Sequence, residues 1–210
     1  MKKKKTEDKI IFKVITLGDV SVGKTSILRR YKDNKFIESY KRTLGIDSFT
    51  KEITLNNGHI IYLNFYDTAG QETYRSMYKS YVRNVDGVLL VFDLNKKKTF
   101  DNIKTWMEYL DENLKNKNNV VKYLIGNKKD LEKEIDDDDI EIFLEDNKDY
   151  IYNTTSAKEE DNQITELFKD MGERLYKSYM KNEKNHKKRG NIKLKSFKEK
   201  KTNCLINCFL

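Results

Sequence analysis

The sequence predicts an α/β domain built on a mostly parallel sheet with one antiparallel edge strand. Three observations carry this. Apolar, β-branched runs alternate with amphipathic, helix-like segments along most of the chain, the pattern of a parallel sheet crossed by helices. Gly18 to Thr25 fits G-x-x-x-x-G-K-[ST] between the first such run and the first helical segment, a strand–turn–helix signature. Asn57-Gly58 separates two strand-like runs, and that pair marks a hairpin.

In chain order, residues 1–9 are a flexible basic lead. Lys13 interrupts the apolar run that follows and no small-residue cleavage site appears, so this is not read as a signal peptide. The first strand is Ile10–Leu17. The turn after it, Gly18, Asp19, Val20, Ser21, Val22, Gly23, Lys24, Thr25 and Ser26, is a candidate phosphate cradle. Its glycines let the backbone wrap a phosphate, and its N–H groups and the following helix N-terminus supply positive potential. Lys24 is placed to reach β- and γ-phosphates and the Thr25 hydroxyl to bind Mg²⁺.

A helix is expected over Thr25–Asp33, then the hairpin strands Ile53–Leu55 and Ile60–Tyr66. "FYDTAGQET" closes the second of these. Asp67 at that strand end suits Mg²⁺ held through water, the Gly70 N–H suits a γ-phosphate, and Gln71 suits positioning of an attacking water. A strand Val88–Phe92 and a helix Thr99–Leu114 follow, with Trp106 read as a helix-packing aromatic.

The strand Val120–Ile125 runs into "LIGNKKDL", which supplies Asn127, Lys128 and Asp130. The Asp130 carboxylate matches the N1–H and exocyclic amine of guanine, a pair that adenine does not offer, and a site built on such pairs rejects the analogue lacking them. The acidic run before and within the helix Asp137–Glu145 suits the positive end of a helix dipole. After the strand Tyr150–Thr154, "TTSAKEE" supplies Ser156, Ala157 and Lys158, with the Ala157 N–H a candidate partner for guanine O6. A last helix is expected over Gln163–Tyr179.

Phosphate loop, "KRTLGID", "DTAGQE", "NKKD" and "TSAK", in that order, resemble the Ras superfamily of small GTPases, and most of all its Rab branch, over about Phe12 to Tyr179. The resemblance implies a P-loop NTPase fold: a doubly wound, six-stranded, mostly parallel sheet with one antiparallel strand, helices on both faces, and GTP or GDP at the carboxyl ends of the strands. It implies that Thr43 binds Mg²⁺ and γ-phosphate, that Phe36 packs edge-on against guanine, and that Phe36–Asp47 and Thr68–Ser80 order with the nucleotide. A slow GTPase that turns over with Gln71 and Lys24, regulated by an exchange factor, an activating protein, a prenyl-chaperone and effectors, is the function implied. The Rab resemblance rests on "TLGID", "TYRSMYKSYVR" and "FDLNKKKTF". Where that branch has an aromatic after G-I-D and Trp before D-T-A-G, this chain has Ser48 followed by Phe49, and Tyr66. With Tyr81 these positions make the branch's effector-facing aromatic cluster, so that surface is altered here.

Charge divides the chain. Residues 181–210 hold ten Lys and Arg against two Glu, accounting for the whole net charge of +8. The basic character therefore belongs to an expected disordered tail and not to a nucleic-acid-binding face of the domain at 10–180. Cys204 and Cys208 are the two cysteines, so no disulfide framework holds the core and a reducing setting is favoured. A basic stretch contributes on the order of 1 kcal/mol per Lys or Arg at an anionic lipid surface, and pairs naturally with a lipid chain. Asn207 stands where a C-a-a-X box needs Cys. The expectation is geranylgeranylation at Cys208, with Cys204 a second lipid site; the alternative is a pair of free thiols. A monomer cycling between cytosol and the cytoplasmic face of intracellular membranes is expected.

Two other readings stay open and a third is disfavoured. Val20 stands where the family carries Ser or Gly, and its bulk beside Gln71 suggests a GTP-loaded scaffold that rarely hydrolyses. A small-molecule kinase using the same phosphate loop is disfavoured by Asn127, Lys128 and Asp130, and another branch of the superfamily is the remaining alternative.

Overall fold

The computed structural model describes residues 9–38, 43, 45–70, 75–115 and 117–188. Strand β1 (Ile10–Leu17) leads into helix α1 (Lys24–Asp33); β2 (Ile46–Thr54) and β3 (Ile60–Thr68) form the hairpin; α2 (Arg75–Val82) precedes β4 (Gly87–Asp93). Two helices, α3 (Lys97–Asp101) and α4 (Ile103–Asn113), lead to β5 (Val121–Asn127), then α5 (Asp137–Asp146), β6 (Tyr150–Thr155) and α6 (Gln163–Lys188). The strands form one sheet in the order β2-β3-β1-β4-β5-β6. Only the β2–β3 pairing is antiparallel, as the sequence predicts.

Side chains alternate across the sheet and divide the core in two. Phe12 and Val14 of β1, Leu89 and Val91 of β4, and Tyr123 and Ile125 of β5 pack under α1 and α6. Their neighbours Ile15, Leu17, Val88, Leu90, Phe92 and Leu124 pack against α2, α4 and α5. Every residue of β4 is buried, as befits a parallel strand covered on both faces. The order turns back at β1: β3 lies on one side of it and β4 on the other, which places the crevice at the strands' carboxyl ends between them.

Four local expectations change. β2 begins at Ile46, well before the expected Ile53, because an edge strand with one polar face shows little apolar signal. α2 was not expected. The expected single helix Thr99–Leu114 is two, divided at Asn102. α6 continues past Tyr179 to Lys188; of the tail at 181–210, the first eight residues extend this helix and the rest lies outside the described residues. In the hairpin, Gly58 takes a left-handed φ of 81° and its N–H bonds the Leu55 carbonyl, a type I turn closed by a glycine.

Candidate nucleotide site

The loop after β1 depends on its glycines. Gly18 has φ 140° and a Cβ there would collide with the Val91 carbonyl of the neighbouring strand; Gly23 has φ 99° and its Cβ would collide with the Asn127 amide. Ser21 shares the left-handed conformation, φ 63°. No side chain caps the start of α1, so its first N–H groups face the turn, as an anion site requires. The Lys24 ammonium lies back along the loop, donating to the Gly18 carbonyl at 2.9 Å and the Asp19 carbonyl at 2.7 Å. Burial pushes its pKa down to about 8, while the charges of Asp67 and Asp19 pull it back up.

The expected Mg²⁺ ligands also meet. Thr25 Oγ1 and Thr43 Oγ1 are 2.8 Å apart. That separation is a hydrogen bond between the two hydroxyls, and both oxygens are of the hard type that Mg²⁺ takes. Asp67 is buried beside them, with Thr16 Oγ1 at 3.4 Å from its carboxylate. Burial holds the Asp67 carboxyl above its ordinary range, against the pull of the Thr25 hydroxyl and Lys24, and a divalent cation relieves that cost. Gly70 rests against the Asp19–Val20 peptide so closely that a Cβ would strike it. Gln71 lies outside the described residues.

At the other end of the cleft, loops from β5 and β6 meet α1. The Asn127 amide donates to the Val22 carbonyl at 2.8 Å and accepts from Thr155 Oγ1 at 3.1 Å, lacing the phosphate loop to both strands. Lys128, at φ 65°, is tied by its ammonium to buried Asp93 at 2.6 Å. Ser156 Oγ donates to Asp130 at 2.6 Å and accepts from the Lys158 and Glu159 N–H groups.

Sequence reasoning missed the residue that holds this loop in place. The Arg30 guanidinium, buried on α1, donates to the Ala157 carbonyl at 3.0 Å and the Lys158 carbonyl at 3.1 Å. It missed a second set as well: Asn102 Nδ2 and Trp106 Nε1 donate to the Asp19 carboxylate at 2.6 and 2.9 Å. Trp106 is the buried packing aromatic expected, with this polar contact added. No spacing rule reveals contacts between residues so far apart in sequence.

These elements enclose a cleft of about 490 Å³. Val20, Ser21, Gly23, Lys24, Thr25, Ser26, Phe36, Thr43, Gly70, Asn127, Lys128, Asp130, Ala157 and Lys158 line it, joined by Arg29, Ile37, Glu38 and Leu131, which the sequence did not single out. Gly18, Asp19, Val22, Asp67 and Ser156 are not among the lining residues.

On the β2–β3 edge, Ser48 pairs with Tyr66 and Phe49 with Phe65. The single-residue offset sends Phe49 to the opposite face, where it stacks on Phe65 at 5.0 Å. Phe49 is therefore no part of the outer aromatic cluster, whose remaining members Tyr66 and Tyr81 meet edge-to-face at 5.2 Å. Among the described residues, no group of three or more His, Cys, Asp or Glu side chains can hold a metal ion. The acidic helix start serves α5, with Asp139 pairing Lys97 and Asp137 pairing Lys133. No described helix is long and apolar enough to cross a membrane.

Comparison with known proteins agrees with this arrangement. The model of the Ras family matches residues 13–177. The chain is 39% identical over 121 residues to Ras-related protein RABD2a of Arabidopsis thaliana, a match covering 58% of this chain and 58% of that protein.

Proposed function

The chain belongs to the Ras family, and from that premise we propose that it is a Rab-like, Mg²⁺-dependent GTP-hydrolysing switch of intracellular membrane traffic. One observation carries the reading: side chains suited to phosphate, Mg²⁺ and guanine gather around a single cleft at the carboxyl ends of the strands, with the Thr25 and Thr43 hydroxyls 2.8 Å apart.

In this reading the loop N–H groups and the Lys24 ammonium neutralise the phosphates, and Asp130 with the Ala157 N–H reads guanine. Thr25, Thr43 and Asp67 would hold Mg²⁺, which would offset the charge on the β- and γ-phosphates. Gln71 orients a water; its oxygen forms the new bond to phosphorus as the bond to the β-phosphate oxygen breaks, giving GDP and phosphate. Turnover is slow without an arginine supplied by an activating protein. Prenylation of Cys208, Cys204 as a second lipid site, basic-tail contact with anionic lipid, and cycling with a prenyl-chaperone, exchange factor and effectors complete the role; both cysteines lie outside the described residues. Single-turnover phosphate release from GTP in Mg²⁺, beside imaging of the tagged chain in its own cells, tests it. No release with an activating protein present, or a chain diffuse at all times, counts against it.

A second reading, a GTP-loaded scaffold, is favoured by Val20. Its side chain stands at the cleft, and its backbone N abuts Gly70, next to Gln71 in sequence.

A further inference from the structure

The Asp19 side chain has no part in the switch described above, yet both of its carboxylate oxygens are held by side chains from the α3–α4 segment. Each carboxylate oxygen has its own donor: Asn102 Nδ2 to Oδ2 at 2.6 Å and Trp106 Nε1 to Oδ1 at 2.9 Å. The two donors stand four residues apart, on one face of the helical segment. The chain departs from regular helix at Asn102, where ψ is −10° and α3 gives way to α4. Trp106 is fully buried, so its indole is a fixed arm.

The backbone of the same residue joins the other parts of the site. Its carbonyl accepts from Lys24 Nζ, and its peptide is the wall against which Gly70 rests. One residue thus connects the α3–α4 junction, the phosphate-reaching lysine and the glycine of D-T-A-G. We infer that Asp19 is a positioning residue, clamped by Asn102 and Trp106, whose hold on the phosphate loop sets how fast nucleotide leaves. The inference rests on the reading of the cleft as a guanine-nucleotide site. Freed of the clamp, the Asp19–Val20 peptide turns, Lys24 loses an acceptor and Gly70 its wall, and the cradle opens more often.

The test uses the full chain loaded with a fluorescent GDP analogue and chased with excess GDP in Mg²⁺. Asp19→Ala removes both bonds to a charged group and is expected to speed release about tenfold or more, the low end for such bonds. Asp19→Asn keeps an acceptor for Trp106, and Asn102 can turn its amide to pair with it; release within about threefold of wild type is expected. Combining Asn102→Ala with Asp19→Ala adds nothing to Asp19→Ala alone, because both break one clamp. Trp106 is the sole tryptophan, so its emission shifts in Asp19→Ala and returns in Asp19→Asn, which loss of general stability does not do. A folded Asp19→Ala chain that releases at the wild-type rate, or single effects that multiply, overturns the clamp. If Asp19→Ala does not fold, Asn102→Ala stands in: faster release supports the clamp and wild-type release overturns it. A wild-type chain that takes up no GDP analogue overturns the nucleotide reading instead.

Discussion

Replacing Arg30 with alanine is expected to weaken GDP binding about 30-fold while leaving the fold intact. Arg30 is 6% exposed, and it makes the only contacts described between α1 and the carbonyls of the loop after β6, the proposed guanine loop: Ala157 at 3.0 Å and Lys158 at 3.1 Å, with the Asn34 carbonyl at 3.1 Å at the end of its own helix. A hydrogen bond from a charged donor contributes roughly 1.5–3 kcal/mol, so the two loop bonds set an upper bound of about 6 kcal/mol. Two effects reduce it. Ser156 Oγ still holds the Lys158 and Glu159 N–H groups, and water entering the space left by the side chain re-solvates the two carbonyls. About 2 kcal/mol remains, which is close to 30-fold in affinity. Arg30→Lys keeps the charge but not the planar fork, and falls between the two. The assay is equilibrium binding of a fluorescent GDP, with thermal melting as the control for folding. An Arg30→Ala chain that melts as wild type does and binds GDP within about threefold of it shows that Arg30 does not hold the loop for binding.

Three further outcomes follow from the same geometry. Val20→Gly clears the cleft beside Gly70 and is expected to raise activator-stimulated, single-turnover GTP hydrolysis at least about fivefold; an unchanged rate removes the support for the scaffold reading. Chelating Mg²⁺ strips the ion from Thr25, Thr43 and Asp67 and is expected to speed GDP release by about tenfold or more, measured by the same chase; release indifferent to chelator contradicts the assignment of these ligands. Asp86 gives a pH test away from the cleft. Burial holds its carboxyl above the ordinary range, against the pull of the Lys13 backbone N–H. A raised folded-state pKa means that the folded chain binds the proton more tightly, so stability is gained as pH falls through that pKa towards the unfolded value of about 3.9. Urea unfolding near pH 7 and near pH 5 should show wild type gaining on Asp86→Asn as pH falls, and a constant difference speaks against it.

What the sequence disclosed, and what it withheld, divides along physical lines. β1 was legible to the residue because an apolar run ends abruptly at Gly18. Most of β2 was not, since Ser48, Thr50 and Glu52 face outward beside Tyr66, Asn64 and Tyr62 on a polar edge. The division at Asn102 was hidden because apolar periodicity runs through it, and the end of α6 because Lys, Asn and Glu carry no face signal past Met180. Residues set at a fixed local spacing, such as Lys24, Thr25, Asp67 and Asp130, could be singled out as candidates, and the structure brings Lys24, Thr25 and Asp130 to one cleft. Arg30, Asp93, Asn102 and Trp106 act on residues between 35 and 128 positions away, and their types are common in helices and strands that do no such work. Only the fold brings them to their partners.

Direct titration decides which nucleotide the cleft holds. Nucleotide-free chain, titrated in Mg²⁺ with GDP, GTP and ATP in turn, provides the measurement. Tight binding of both guanine nucleotides is expected, with ATP weaker by a factor of about 10⁴, the discrimination of a site whose carboxylate, once the base covers it, is left without its two donors. ATP binding within about tenfold of GTP, by a folded chain, contradicts it.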